Sequence, residues 1–228
     1  MKTMTKEMKV TVPENINDLT VGQYQTYALI EKPEVEDMLE IFYKIPRQLV
    51  QYLPAAKVAE YTALINNMLS AESTMSTTFK LGDTKFGFIT NLEEITYGEN
   101  KDITTYFGDM RTMHKAMAVM YRPITKENKG GYEIEDYEGS HTYADVMKEA
   151  PLGAMLGAMV FFWNLINELQ HATQNYFQRM LKKSQKDLLP TQLNYLKKNG
   201  EVMENFLRLH KGIFEGMKKS LDFHYKNA

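Results

Sequence analysis

The residues best placed to do chemistry are Glu168 and His171. Glu168-Leu-Gln-His171 puts a carboxylate and an imidazole on one face of a helix. Helical di-metal carboxylate bundles use two such pairs and add a glutamate from each of two further helices. The corresponding positions before His210 and His224 are Leu207 and Leu221. Glu168 and His171 therefore read as half a site, which cannot hold two metals. Both are expected to face solvent or an interface. His114 and His141 are scattered, and no two-histidine metalloprotease motif is present. There is no nucleophile elbow, and Gly130-Gly131 lacks the lysine and hydroxyl residue of a phosphate-binding loop. Gly82, Gly87 and Gly98 do not form a dinucleotide fingerprint. A Ser/His/Asp triad assembled from distant positions stays open to sequence reading. The expectation is a protein with no catalytic, cofactor-binding or metal residue, and no cofactor.

A second constellation is built for contact. Arg179, Lys182, Lys183, Lys186, Lys197 and Lys198 cluster within a short stretch, with Tyr176, Phe177 and Tyr195 interleaved. Basic and aromatic residues together can bind nucleic acid. The sequence pI of about 6.2 speaks against that here, and lysines also complement helix C-terminal ends. These nine residues are the candidate interface, and direct nucleic-acid binding is not expected. Charge is split along the chain. Residues 1–150 carry 16 Lys and Arg against 23 Asp and Glu, whereas residues 151–228 carry 11 against 6. A molecule with two signs can dock onto its own copies. The 16 methionines and 14 tyrosines suit adaptable, half-wet contact surfaces.

These residues depend on one element, the stretch from Ala150 to Lys183. No charge occurs from Ala150 to Asn167. Pro151, Asn164 and Asn167 interrupt the run and Glu168 follows, so a buried helix is expected and not a membrane span. Gly153, Ala154, Gly157 and Ala158 are spaced to admit another backbone, and Phe161, Phe162 and Trp163 supply buried bulk. A corner at 187–190 and a helix over 201–225 would complete an antiparallel hairpin.

Earlier in the chain, residues 8–12 alternate as a strand. Thr20 caps a helix from Val21 to about Ile30, and further helices follow over 34–43 and 55–69. Residues 70–76 read as a polar linker. Thr78–Leu81 and Lys85–Ile89, joined by Gly82-Asp83, form a hairpin. One helix is expected over 103–120, a loop over 126–131, a short strand over 132–135 and a short helix over 143–148. The fold class is α+β, mainly α. Its parts are a helical segment over 1–76, a β-hairpin and helix over 77–150, and a C-terminal helical hairpin over 151–228 that forms one compact unit with the middle part. The absence of cysteine suits a reducing compartment. No secretory leader is expected, because the N-terminal residues include no apolar run.

Three segments carry a resemblance. They are residues 86–99 (FGFITNLEEITYGE), residues 113–123 (MHKAMAVMYRP) with Tyr132-Glu-Ile-Glu135, and Val160-Phe-Phe-Trp-Asn164. Together, over roughly residues 10–180, they resemble a protein of the structural modules of tailed phages, in particular the crAss-like phages of gut Bacteroidetes. The resemblance implies a virion structural protein of the neck or tail, acting as a ring of copies bound to other phage structural proteins. It would be found in the virion, and in the host cytoplasm during assembly, away from any membrane. A second similarity covers residues 10–70, where Leu19-Thr-Val-Gly-Gln23 precedes paired short helices. It points to tail assembly chaperones, helical adaptors for the tape-measure protein that are usually absent from the finished particle. Neither family brings catalytic residues to this chain.

Overall fold

The computed structural model describes residues 9–187. The chain begins extended. Lys9–Val12 carry no strand pairing, which corrects the strand expected at 8–12. Val12 is 42% exposed, and alternation makes a strand only where an edge is free to pair. Helix α1 (Val21–Ala28) starts at Thr20, whose hydroxyl accepts from the Gln23 N–H while Gln23 accepts from the Thr20 N–H. This reciprocal cap satisfies two donors that the first turn would leave open. Helix α2 (Val35–Tyr43) buries Met38, Leu39, Phe42 and Tyr43 and ends at Lys44 in the left-handed conformation, with φ 56°. Pro46 and Pro54 stand immediately before α3 (Arg47–Val50) and α4 (Ala55–Ser70).

Strands β1 (Thr78–Leu81), β2 (Thr84–Phe88), β3 (Tyr121–Asn128) and β4 (Gly131–Ile134) form one antiparallel sheet in chain order. The first hairpin turns on Gly82-Asp83, with Leu81 opposite Thr84 and Gly82 at φ 56°. A positive φ at the first of two turn residues matches the strand twist and suits glycine. The loop expected at 126–131 is instead mostly strand. Lys126, Glu127 and Asn128 pair with Glu133, Tyr132 and Gly131, and their polarity reflects a solvent-facing hairpin.

The helix expected over 103–120 is two helices, α5 (Tyr97–Tyr106) and α6 (Met113–Met120). Asp109 accepts from the Arg111 N–H at 2.9 Å and Thr112 donates to the Tyr106 carbonyl, which turns the chain between them. Seven of the eight residues of α6 are buried, so α6 is the helix enclosed on all sides. The stretch 143–148 forms short 3-10 turns and not a helix.

Helix α7 (Leu152–Asp187) spans 36 residues, or about 54 Å. Leu152–Met159 are buried, Phe161, Phe162 and Trp163 are half-buried, and Asn164 and Leu165 are exposed. The buried helix expected here is found over Leu152–Met159, whereas Trp163, expected inside, is half-buried. There the small residues do what their spacing suggests. A Cβ on Gly157 would lie 2.3 Å from the Thr74 carbonyl oxygen, and one on Gly153 2.3 Å from Asn17 Oδ1. Leu152 N–H donates to Leu19 O and Val21 N–H to Ala150 O. Phe161 and Phe162 then pack on Phe88, and Phe162 on Phe107 at 5.0 Å. One apolar cluster runs from Leu19 through the sheet and α6 to Met159. The molecule is α+β and mainly helical. The turn expected after Asp187 and the helix expected over 201–225 lie outside the described residues. Among the described residues no helix is long and apolar enough to cross a membrane.

Gly157→Ala tests the close approach. In an open helix the change would stabilise by about 1 kcal/mol. Against the Thr74 backbone it is expected to cost about 1–3 kcal/mol in chemical denaturation. A neutral or stabilising result would place residues 74–75 elsewhere.

Candidate functional site

Two features stand out as candidate contact surfaces. The first is the outer part of α7. From Asn164 to Asp187 it runs roughly 36 Å, and Asn164, Leu165, Glu168, His171, Asn175 and Arg179 are exposed along it. Arg179, Lys182, Lys183 and Lys186 occupy positions i, i+3, i+4 and i+7 of this continuous helix, which places them on one face. Tyr176 and Phe177 belong to the same helix, whereas Tyr195, Lys197 and Lys198 lie outside the described residues. Arg179 has no hydrogen-bond or ion-pair partner among the described residues.

Glu168 and His171 are both exposed on this run. Glu138-Gly-Ser-His141 repeats their spacing, a second pair that the sequence reading passed over. It falls on a 3-10 turn (Ser140–Thr142) and not on an α-helix. Among the described residues no group of three His, Cys, Asp or Glu could hold a metal. His114 is buried in α6, 3.1 Å from Gln25 Nε2. Burial, then the nearby Lys148 and Lys115, hold its pKa below the usual histidine range.

The second feature is a cleft of about 640 Å³ beside the second hairpin, bounded by Arg122, Thr125, residues 133–139 and Tyr143. At its floor Arg122 Nη2 pairs with Glu99 Oε1 at 2.7 Å, and the two side chains are only 9% and 5% exposed. Local structure places both partners. Glu99 is the third residue of α5, where Oε2 accepts from the Thr96 N–H at 2.7 Å as half of a capping box. Arg122 is the second residue of β3, opposite Gly87. The Tyr137 ring lies 5.6 Å from the guanidinium, and its hydroxyl donates to Asp102 Oδ2 at 2.5 Å. Tyr143 donates to Glu135. Burial, then the Asp102 contact, push the Tyr137 phenol up. The hydrogen bond to Glu135, then burial, push Tyr143 up to about 12. Both phenols keep their protons at neutral pH. The cleft offers fixed charge and hydrogen bonds.

Arg122 Nε is enclosed and lacks a hydrogen-bond partner. Asp136 and Glu138, exposed on the rim, make no hydrogen bond or ion pair among the described residues, while Glu133 pairs with Lys126 at 3.2 Å. Sequence reasoning gave the cleft no role. Its one signal was an arginine between Tyr121 and Pro123 in an apolar setting, because a buried arginine requires a buried acid. Comparison with known proteins finds no matching family model, no matching curated protein and no matching solved structure.

Removing one partner of a buried pair leaves the other charge uncompensated. Arg122→Met is expected to cost about 3–5 kcal/mol in denaturant, and the double variant Arg122→Met/Glu99→Gln less than the single one. Equal losses would mean that the pair is not coupled.

The alkaline limb supplies a further test. The Tyr143 pKa in the fold, about 12, exceeds the ordinary 10.0, so the neutral phenol supports the fold fully below pH 10. That support is lost as pH rises through about 12. Tyr143→Phe is expected to lose less stability over that window than the parent, by thermal melts at stepped pH. Identical pH profiles would remove the Glu135 contact from the account.

Proposed function

We propose that this protein is a non-enzymatic structural component of a tailed-phage particle, assembling in the neck or tail through contacts with its own copies and with other phage structural proteins. The observation that carries the reading is α7. After Trp163 it continues for 24 residues, Asn164 to Asp187. Among its described side chains Asn164, Leu165, Glu168, His171, Asn175 and Arg179 are exposed, and a long helix with exposed positions is suited to lying against a neighbour, since helices draw their stability from packing. The resemblance of residues 86–99, 113–123 and 160–164 to phage structural-module proteins supports the same reading. Head-to-tail contact of one chain with itself closes into a ring where the rotation allows.

A second reading is an assembly chaperone that does not stay in the particle. A groove among α2, α3 and α4 favours it. The groove holds about 610 Å³ and is lined by Val35, Val50, Leu53, Val58 and Ala59, with Tyr52 77% exposed nearby in sequence. Such a surface suits an apolar segment of another protein.

Sedimentation velocity of the full chain over a range of concentrations is expected to reveal reversible oligomers. A monomer at every concentration would sink the self-assembly reading. Mass spectrometry of purified particles then separates the two roles. Stoichiometric presence supports the structural component, and absence supports the chaperone.

A further inference from the structure

We infer that the contact between Gln25 and His114 is an acid-sensitive latch, which holds α1 against α6 at neutral pH and releases it when His114 takes up a proton. Gln25 is 7% exposed and His114 9%, so water offers little replacement for their hydrogen bonds. Gln25 Nε2 donates to the Met110 carbonyl and lies 3.1 Å from His114 Nδ1. A carbonyl oxygen only accepts, so Met110 fixes which end of the Gln25 amide points this way. The second N–H of the same amide then faces Nδ1, which must accept it. The imidazole is therefore neutral, with its proton on Nε2.

A proton on Nδ1 turns this acceptor into a donor, and two N–H groups then face each other. Turning the Gln25 amide over gives no relief, because Oε1 would oppose the Met110 carbonyl. No rotation of Gln25 serves both neighbours once His114 is charged. The charges around the ring do not compensate. Lys148 and Lys115 oppose a cation there and Asp145 favours one, but Asp145 already pairs with Lys148 at 2.8 Å. Beside Met110, Asp109 and Arg111 pair with each other at 2.6 Å. Helix α1 has no charged side chain, and burial keeps its Tyr24 and Tyr27 neutral. His141 and Glu149, on the neighbouring 3-10 turns, are exposed. Burial holds the His114 pKa below its ordinary 6.5, so the hold on α1 is complete above pH 6.5 and is lost as pH falls below it. Eight residues of helix do not persist without packing, and release bares Val21, Tyr24 and Tyr27, the buried face of α1.

The test is hydrogen–deuterium exchange of the full chain between about pH 7.5 and about pH 5.5, corrected for the intrinsic pH dependence of exchange. Protection of Val21–Ala28 is expected to fall on the order of three- to tenfold over that window, since one proton gives at most about tenfold per pH unit. Protection of α4 is expected to stay constant. The carboxylate of Asp145, held low by Lys148, does not titrate in this range. His114→Gln keeps a neutral side chain at the contact and is expected to flatten the response of α1. Proton NMR of the parent keeps the test open should that variant not fold. The His114 ring is expected to titrate with a midpoint below 6.5, and the α1 amides to shift with it. Four results would each overturn the latch: unchanged α1 protection in the parent, an equal loss in α1 and α4, the same loss in His114→Gln, or a His114 midpoint at or above 6.5.

Discussion

The fold depends on a close approach of backbones at the start of α7. Gly153 and Gly157 leave no side chain where Asn17 and the Thr74–Met75 backbone cross the helix. Any Cβ at Gly157 would meet a carbonyl oxygen, which cannot move as the end of a flexible side chain can. That crossing lets the Leu19–Val21 segment hydrogen-bond across Ala150–Leu152, and it fixes the first turns of α7 inside the cluster that also encloses α6. With those turns held, Phe161 and Phe162 land on the sheet at Phe88, and the direction in which the helix leaves the body is set.

A helix clamped at its start, with Asn164, Leu165, Glu168, His171, Asn175 and Arg179 exposed farther along, is rigid where it must be and open where it can bind. The buried Arg122–Glu99 pair has a related role at the cleft. It joins the start of β3 to the first turn of α5, so the second hairpin and the acidic rim are held against the helical core. Pairs of this kind are costly to desolvate and are better at fixing position than at adding stability.

Much of this was legible in the sequence, for reasons that differ by element. The Thr20 cap, the Gly82-Asp83 turn and the small residues of α7 are local signals, and each appears where its chemistry predicts. The break between α5 and α6 was hidden because the apolar spacing of Tyr106, Phe107, Met110 and Met113 runs straight through Gly108 and Asp109. β3 was not read as a strand at all, because Pro123 interrupts its first half and its outer residues are polar on a solvent-facing hairpin, which reads like a loop. The strand expected near residue 10 shows the opposite error, since alternation alone does not bring a segment into pairing with a sheet. The cleft was out of reach, because Glu99, Asp102, Arg122 and Tyr137 come together only through tertiary packing. The cationic face of α7 was visible as a cluster of residues, but nothing in the sequence said what it faces.

The central claim is that the outer part of α7 is a contact surface between copies. Hydrogen–deuterium exchange of the full chain at low and high protein concentration tests it most directly. The account predicts that amides of Leu152–Trp163 are protected at both concentrations. Those of 164–187 should exchange quickly in dilute solution and become protected as the protein is concentrated. Exchange of 164–187 that does not change with concentration would contradict it.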